Sequence, residues 1–336
     1  MKNYSIRDSI RAQRYILWAG IVILLIKFAA WYITGSNAIL SDALESIINV
    51  MAAVMALYSL HYASRPPDAN HPYGHGKVEY VTSGIEGGLI LSAGALIIGK
   101  SIYNLVNPLQ LESIELGTYI SGAAGMVNYL LAFYLMRVAK RTKSIVLKAE
   151  SAHLRSDAYS SLGMIIGLVL LILTGWLWLD NVIAMIFGGV IILSGIKLIR
   201  EALSGIMDEA DEGLLLQLEE VLRDNRRENW IDIHDVRIMR NGNDIHIDGH
   251  LTLPYFLSFQ EAHEENVLMQ LAVRNAFPAE SEFFIHFDPC HMTECSWCIH
   301  KTCGSRTEAF QEDRNFLQRD LGIQNQVKSV KPYLSY

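Results

Sequence analysis

The stretch SAHLRSDAYSS, residues 151–161, runs directly into LGMIIGLVLLILTG, residues 162–175. Its reading decides the fold, because His153, Arg155 and Asp157 are ionisable groups that hydrocarbon penalises. Either the polar part is a loop ahead of a membrane helix, or it is part of that helix. From Leu162 to Thr174 there are 13 residues, short of the ~20 that an α-helix needs to cross the hydrocarbon core. The polar stretch therefore has to be helical and has to supply the missing length.

Working outward, the 336 residues are 51% apolar and the mean hydropathy is positive, which describes a membrane protein with a soluble part attached. Apolar runs at 15–34, 38–60, 80–104, 116–137 and 181–199 bring the number of predicted transmembrane helices to six. Positive residues in short loops stay on the cytoplasmic side. Lys2, Arg7, Arg11 and Arg14 precede span one, Arg65 and Lys77 lie between spans two and three, and Arg137, Lys140, Arg141, Lys143 and Lys148 precede span five. The 105–115 and 175–180 connections have no Lys or Arg. Both termini are thus expected in the cytoplasm. The first apolar run is long, follows several arginines and lacks a small-residue cleavage pattern, so it reads as an uncleaved span. A net charge of −7, with no basic stripe in the soluble part to offset it, argues against nucleic acid as a partner.

Beyond Arg200 the apolar runs stop. A charged segment with leucines at helical spacing follows, then two alternating runs, IDIHDVRIMR and DIHIDGHLTL, around the turn 241–243, then the amphipathic QEAHEENVLMQLAVRNAF and the short run EFFIHFD. That order predicts an α+β domain, αββαβ, with helices on one face of a small sheet. The expected division is a six-helix membrane domain over 1–207, a cytoplasmic α+β domain over 208–290, and a Cys/His-rich segment with a mobile tail over 291–336.

The chemistry concentrates in a few places. His153 and Asp157 are four apart and share a helical face, as do Glu45 and Asn49 in span two. Two helices presenting two such side chains each suit a tetrahedral metal site; the other reading is hydrogen-bond glue between helices. Glu45 and Asp157 bring two negative charges, which a divalent ion neutralises and which otherwise call for protons. Metal and proton then compete for the same groups. Counting residues from the outer helix ends places Glu45 and Asp157 at depths differing by roughly 10 Å, which tilt has to absorb. Asp68, His71 and His75, in a loop with Pro72, Gly74 and Gly76, could close around Zn²⁺ or be solvated loop residues. All four cysteines fall in PCHMTECSWCIHKTC. Cys290, Cys295, Cys298 and Cys303 are a candidate additional metal site, since clustered thiols in a reducing cytoplasm favour metal over disulfide.

Together, six spans, a His-x-x-x-Asp in span five, paired polar residues in span two, DANHPYGHGK after it, and an αββαβ domain ending in HFDPC resemble the cation diffusion facilitator family over residues 5–290. The resemblance implies a homodimer in a bacterial inner membrane that exports cytoplasmic divalent metal, most often Zn²⁺, in exchange for protons by alternating access. It implies a transport site at Glu45, Asn49, His153 and Asp157, a loop site at Asp68, His71 and His75, and a cytoplasmic cluster at His234, His250, His263, His286 and Asp288. Small residues Gly84, Gly88 and Ser92 in span three are compatible with its dimer contact and equally with packing inside one subunit. Glu followed by Asn in span two departs from the zinc-efflux pattern. An amide oxygen is a poorer Zn²⁺ ligand, so Fe²⁺, Mn²⁺, Co²⁺ and Cd²⁺ stand beside Zn²⁺ as cargo. A non-transporting metal sensor or scaffold is the alternative function. An enzyme is not expected, since HEENV at 263–267 is not the His-Glu-x-x-His of a zinc hydrolase.

Overall fold

Residues 151–161 are helical throughout, inside a 30-residue helix, α5, spanning Ile145–Thr174. At 1.5 Å per residue α5 is about 45 Å long, so its polar first half and apolar second half form one rod. The computed structural model describes residues 2–34, 37–107, 115–174, 176, 178–242, 244–277, 281–300 and 303–311, and the chain divides after Met207 into two compact units.

The first unit holds α1 (Lys2–Thr34), α2 (Asn37–Ala63), α3 (Val78–Val106), α4 (Glu115–Thr142), α5 and α6 (Trp178–Ile206). Among the described residues, α1, α2, α3, α4 and α6 each contain a segment long and apolar enough to cross a membrane. Each helix outruns the apolar run that announced it, because polar end turns such as KNYSIRDSIRAQR of α1 carry the same backbone hydrogen-bond ladder beyond the apolar stripe. The helices pair as α1 with α2, α4 with α5, and α3 with α6. Buried Ala56, Leu60, Leu135, Leu147 and Leu154 join α2, α4 and α5 into one core.

Helix α3 meets α6 through glycine. A Cβ on Gly94 would stand 2.8 Å from the Gly188 carbonyl oxygen, and one on Gly195 would stand 2.9 Å from that of Gly87. Removing side chains at these positions lets the two backbones touch, which is how helices gain packing where lipid offers no hydrophobic drive. The stripe expected from sequence is only partly involved: Gly84 touches Ala202, and Gly88 has nothing within 4 Å of its Cβ direction.

The second unit holds α7 (Glu212–Asp224), β1 (Asp232–Asn241), β2 (Asp244–Leu253), α8 (Phe259–Ala276) and β3 (Glu282–Pro289), the expected αββαβ. Asp211 caps α7 by accepting from the Leu214 amide, and Ser258 with Glu261 forms a capping box on α8. The sheet order is β1-β2-β3, with β2 and β3 parallel. Parallel neighbours need a crossover, and α8 supplies it. Leu214, Leu218 and Leu222 of α7 and Met269 and Val273 of α8 pack with Ile233, Ile245, Ile247 and Leu251 of the sheet.

One acid is built into this core. Glu265 of α8 is buried and accepts from Trp230 Nε1 (2.8 Å), Asn229 Nδ2 (2.7 Å) and Arg227 Nε (3.0 Å). Glu265→Ala would strand the buried indole N–H and is expected to destabilise this unit by about 3 kcal/mol. Faster hydrogen exchange of the β1 and β2 amides, with α3 and α6 unaffected, is the expected signature.

Candidate metal centre

Asn49 sits at the meeting of α2 and α5. Its Nδ2 donates to Asp157 Oδ2 at 2.6 Å, and its Oδ1 lies 3.0 Å from His153 Nε2. An ionised carboxylate can only accept, so the amide nitrogen faces Asp157 and the amide oxygen is left for the imidazole, which must donate. His153 Nδ1 is buried and has no hydrogen-bond partner. The depth mismatch anticipated from helix ends does not separate Asn49 from the α5 pair. The backbone of Glu45 belongs to α2, one turn before Asn49, but its side chain lies outside the described residues. Imidazole nitrogen, carboxylate and amide oxygen on two facing helices suit a divalent transition-metal ion.

The loop after α2 gathers its three expected residues. The side chains of Asp68, His71 and His75 bring one ligand atom each to within 4.8 Å of one another. Asp68 Oδ1 accepts from the amides of His71 (2.7 Å) and Asn70 (2.9 Å), an Asx turn, while its Oδ2 lies 3.2 Å from His75 Nε2. The His71 amide, above all, holds the Asp68 carboxyl below its usual range. His75 is buried edge-on against Tyr62, and Gly74 turns the chain at φ +91°.

In the second unit, His234, His250 and Asp288 form another such group. Strand register explains it: parallel pairing sets His250 beside His286 and Thr252 beside Asp288. Asp288 Oδ2 lies 2.8 Å from His250 Nδ1 and 3.4 Å from His234 Nε2, and its Oδ1 lies 3.5 Å from His286 Nε2. Two imidazoles and a carboxylate fit Zn²⁺, with the exposed His286 within reach. His263 is exposed on α8 and is not part of this group.

Asp232 was not foreseen. Its Oδ1 accepts from Thr252 Oγ1 (3.0 Å) and lies 2.9 Å from His234 Nδ1, orienting the ring so that Nε2 faces the centre. The hydrogen bond to Asp232, then that to Asp288, raises His234 to about 10. Burial works to raise Asp288, but the bonds to His234 and His250 outweigh it and leave its carboxyl low. The i, i+2 spacing of Asp232 and His234 on one strand face was the available signal.

The cysteines are not gathered in this way. Among the described residues no three ligand atoms of Cys290, Cys295, Cys298 and Cys303 lie within 4.8 Å of one another. What orders the segment is Arg306, which donates to the carbonyls of Cys295, Cys298 and His300. Burial raises the Cys290 and Cys298 thiols, whereas hydrogen bonds from Thr307 lower Cys295. His246 of β2 is buried, with Nδ1 2.9 Å from Glu282 Oε2.

The His234 proton has a measurable consequence. A group raised from 6.5 to about 10 contributes stability that is complete below 6.5 and lost as pH rises through about 10. Metal can take His234 only after that proton leaves. Zn²⁺ binding to the full-length protein at pH 8 is therefore expected to release one more proton per protomer than binding to His234→Ala. Calorimetry in buffers of different ionisation heat measures this, and equal release in both proteins would contradict the assignment.

Residues 14–207 match the cation efflux transmembrane domain family, and residues 212–290 match the cytoplasmic domain family of cation efflux proteins. An uncharacterised transporter of Synechocystis sp. is 33% identical over 264 residues, covering 79% of this chain and 85% of that one. The cation-efflux pump FieF of Shewanella oneidensis is 28% identical over 279 residues, covering 83% of this chain and 93% of that one. The FieF pump of Escherichia coli O1:K1 is 29% identical over 283 residues, covering 80% and 89%. With both domains matched in order and the membrane helices bringing Asn49, His153 and Asp157 together, this chain belongs to the cation diffusion facilitator family of cation efflux transporters.

Proposed function

We propose that the protein exports a divalent transition-metal cation from the cytoplasm, Zn²⁺ first among the candidates, in exchange for protons. The observation that carries this reading is the Asn49 amide held between His153 and Asp157. Such a set of donors, inside an apolar bundle, calls for a cation. Glu45 and Asp157 together balance one divalent ion, and in its absence protons are the simplest substitute. A site that exchanges the two, exposed to each side in turn, is an antiporter.

Three further observations support the details. Relatives that are named cation-efflux pumps argue for the export direction. The Lys and Arg asymmetry of the loops argues for cytoplasmic termini, and the bacterial relatives argue for an inner membrane. His286, exposed beside the His234–His250–Asp288 group, and His263, exposed on α8, would serve a metal shared by two copies, which favours a homodimer. In this reading the loop and cytoplasmic groups hold resident Zn²⁺, while the Asn49 site handles the cargo.

Flux into proteoliposomes under an imposed pH gradient tests the proposal with Zn²⁺, Cd²⁺, Mn²⁺, Fe²⁺ and Co²⁺. Saturable, gradient-driven uptake is expected for the wild type, falling to background in Asp157→Ala. Asn49→Asp is expected to shift preference several-fold toward Zn²⁺ over Mn²⁺, because it replaces an amide by a charged ligand. Absence of flux for every ion would overturn the transport reading.

A further inference from the structure

Among the described residues, Glu150 and Glu86 are the most deeply buried acids of the membrane unit, with relative exposures of 1% and 0%. They face each other between α5 and α3, where Ala149 packs against Ile90, closely enough for the carboxyl groups to interact electrostatically. Both oxygens of Glu86 and Oε2 of Glu150 are buried with no hydrogen-bond partner. The remaining Glu150 interactions are a side-chain hydrogen bond with Gln13 and electrostatic contact with His153 and Asp157. Neither acid was assigned a role by the sequence.

Their surroundings point to a ligand. Glu150 lines a cavity of about 30 Å³ together with Asn49, Ser46, Asn128 and Lys27. That volume accommodates a water molecule or a dehydrated ion. The Lys27 ammonium donates to Ser46 Oγ at 2.9 Å on the same wall. Lys27 and Glu150 on the cavity wall offset each other, while Glu86 behind Glu150 and Asp157 beside Asn49 add two further carboxyl groups. Buried carboxyl groups without enough counter-charge take up a proton or a metal ion, and Glu150 Oε2, unpartnered on the cavity wall, offers a metal ion a ligand atom beside Asn49.

We propose that Glu150, backed by Glu86, is a carboxylate ligand at a second binding position for the divalent cation. It shares Asn49 with the His153–Asp157 position, so the amide is common to both. Glu150 then provides, from α5, the acid that Asn49 does not provide from α2. The ligands here, carboxylate, amide and hydroxyl oxygens, are harder than the imidazole-containing set next to it. An ion moving between the two positions would exchange His153 for Glu150 while keeping Asn49. The inference deepens the transport reading and rests on it for the identity of the cargo.

The test changes the softness of the proposed ligand. In full-length protein with Cys290, Cys295, Cys298 and Cys303 replaced by serine, Glu150→Cys places a single thiol in the cavity. Cd²⁺ titration in detergent is expected to give a thiolate-to-metal ultraviolet absorption band at one equivalent per protomer, weakened by Asn49→Ala. In proteoliposomes, Glu150→Gln, nearly isosteric, is expected to raise KM for Mn²⁺ by ~10-fold or more, and Glu150→Cys to shift the KM ratio toward Cd²⁺ by a similar factor. No Cd²⁺ band in a folded Glu150→Cys protein, or a Glu150→Gln protein with wild-type KM, would overturn the proposal. So would a Glu150→Gln protein that loses only its dependence on the pH gradient. If the wild type itself transports nothing, the proposed function fails, and the Cd²⁺ titration still decides whether the cavity binds metal.

Discussion

The membrane unit is organised by the cost of leaving a polar group unsatisfied in an apolar bundle. Asn49 meets it by using both ends of one amide, donating to Asp157 and accepting from His153. A carboxylate at the same position could not donate, and beside Asp157 it would need a proton or a metal to be tolerated. The amide therefore lets α2 and α5 stay in register without cargo, while the atoms that hold them together are those a metal would claim. On the proposed reading, structural glue and metal site, alternatives when the residues are read one by one, are the same contact.

The two groups outside the membrane helices use a related device, a single carboxylate between imidazoles. Asp68 is fixed by an Asx turn and meets His71 and His75. Asp288 is fixed by strand register and meets His234, His250 and His286. In each case the acid is oriented by backbone geometry, so the histidines converge without the metal. Asp232 adds a further level, setting the direction of His234 through the ring nitrogen that does not face the centre. The cysteine segment lacks such an organiser for its thiols: Arg306 gathers carbonyl oxygens and leaves the sulfurs apart.

Much of this was legible in the chain itself. The apolar run of only 13 residues from Leu162 to Thr174 required a polar helix ahead of it, and the spacing of Glu45 with Asn49 and of His153 with Asp157 put each pair on one face, because helical periodicity is local. The αββαβ order followed from periods of 3.6 and 2, and the loop site from three ligands within eight residues. Not legible were the partners brought by packing. Glu150 stands three residues before His153, yet nothing in its neighbours says that it faces Glu86 or shares a cavity with Asn49. Gly87 and Gly94 approach α6 most closely, while Gly88 turns away from it, a choice made by helix rotation. The burial of His246 comes from β3, which sets Glu282 beside it.

The sequence by itself determined the number and type of elements and the residue types able to hold metal, since both depend on spacing along one chain. Tertiary structure alone decided which of those residues meet. Contact across helices and strands depends on rotation, depth and register, and these are set by close packing of glycine against carbonyl in the membrane unit and by parallel pairing of β2 with β3 in the other. It also decided which acids lie buried without partners, a property of the whole bundle that no local stretch of sequence contains.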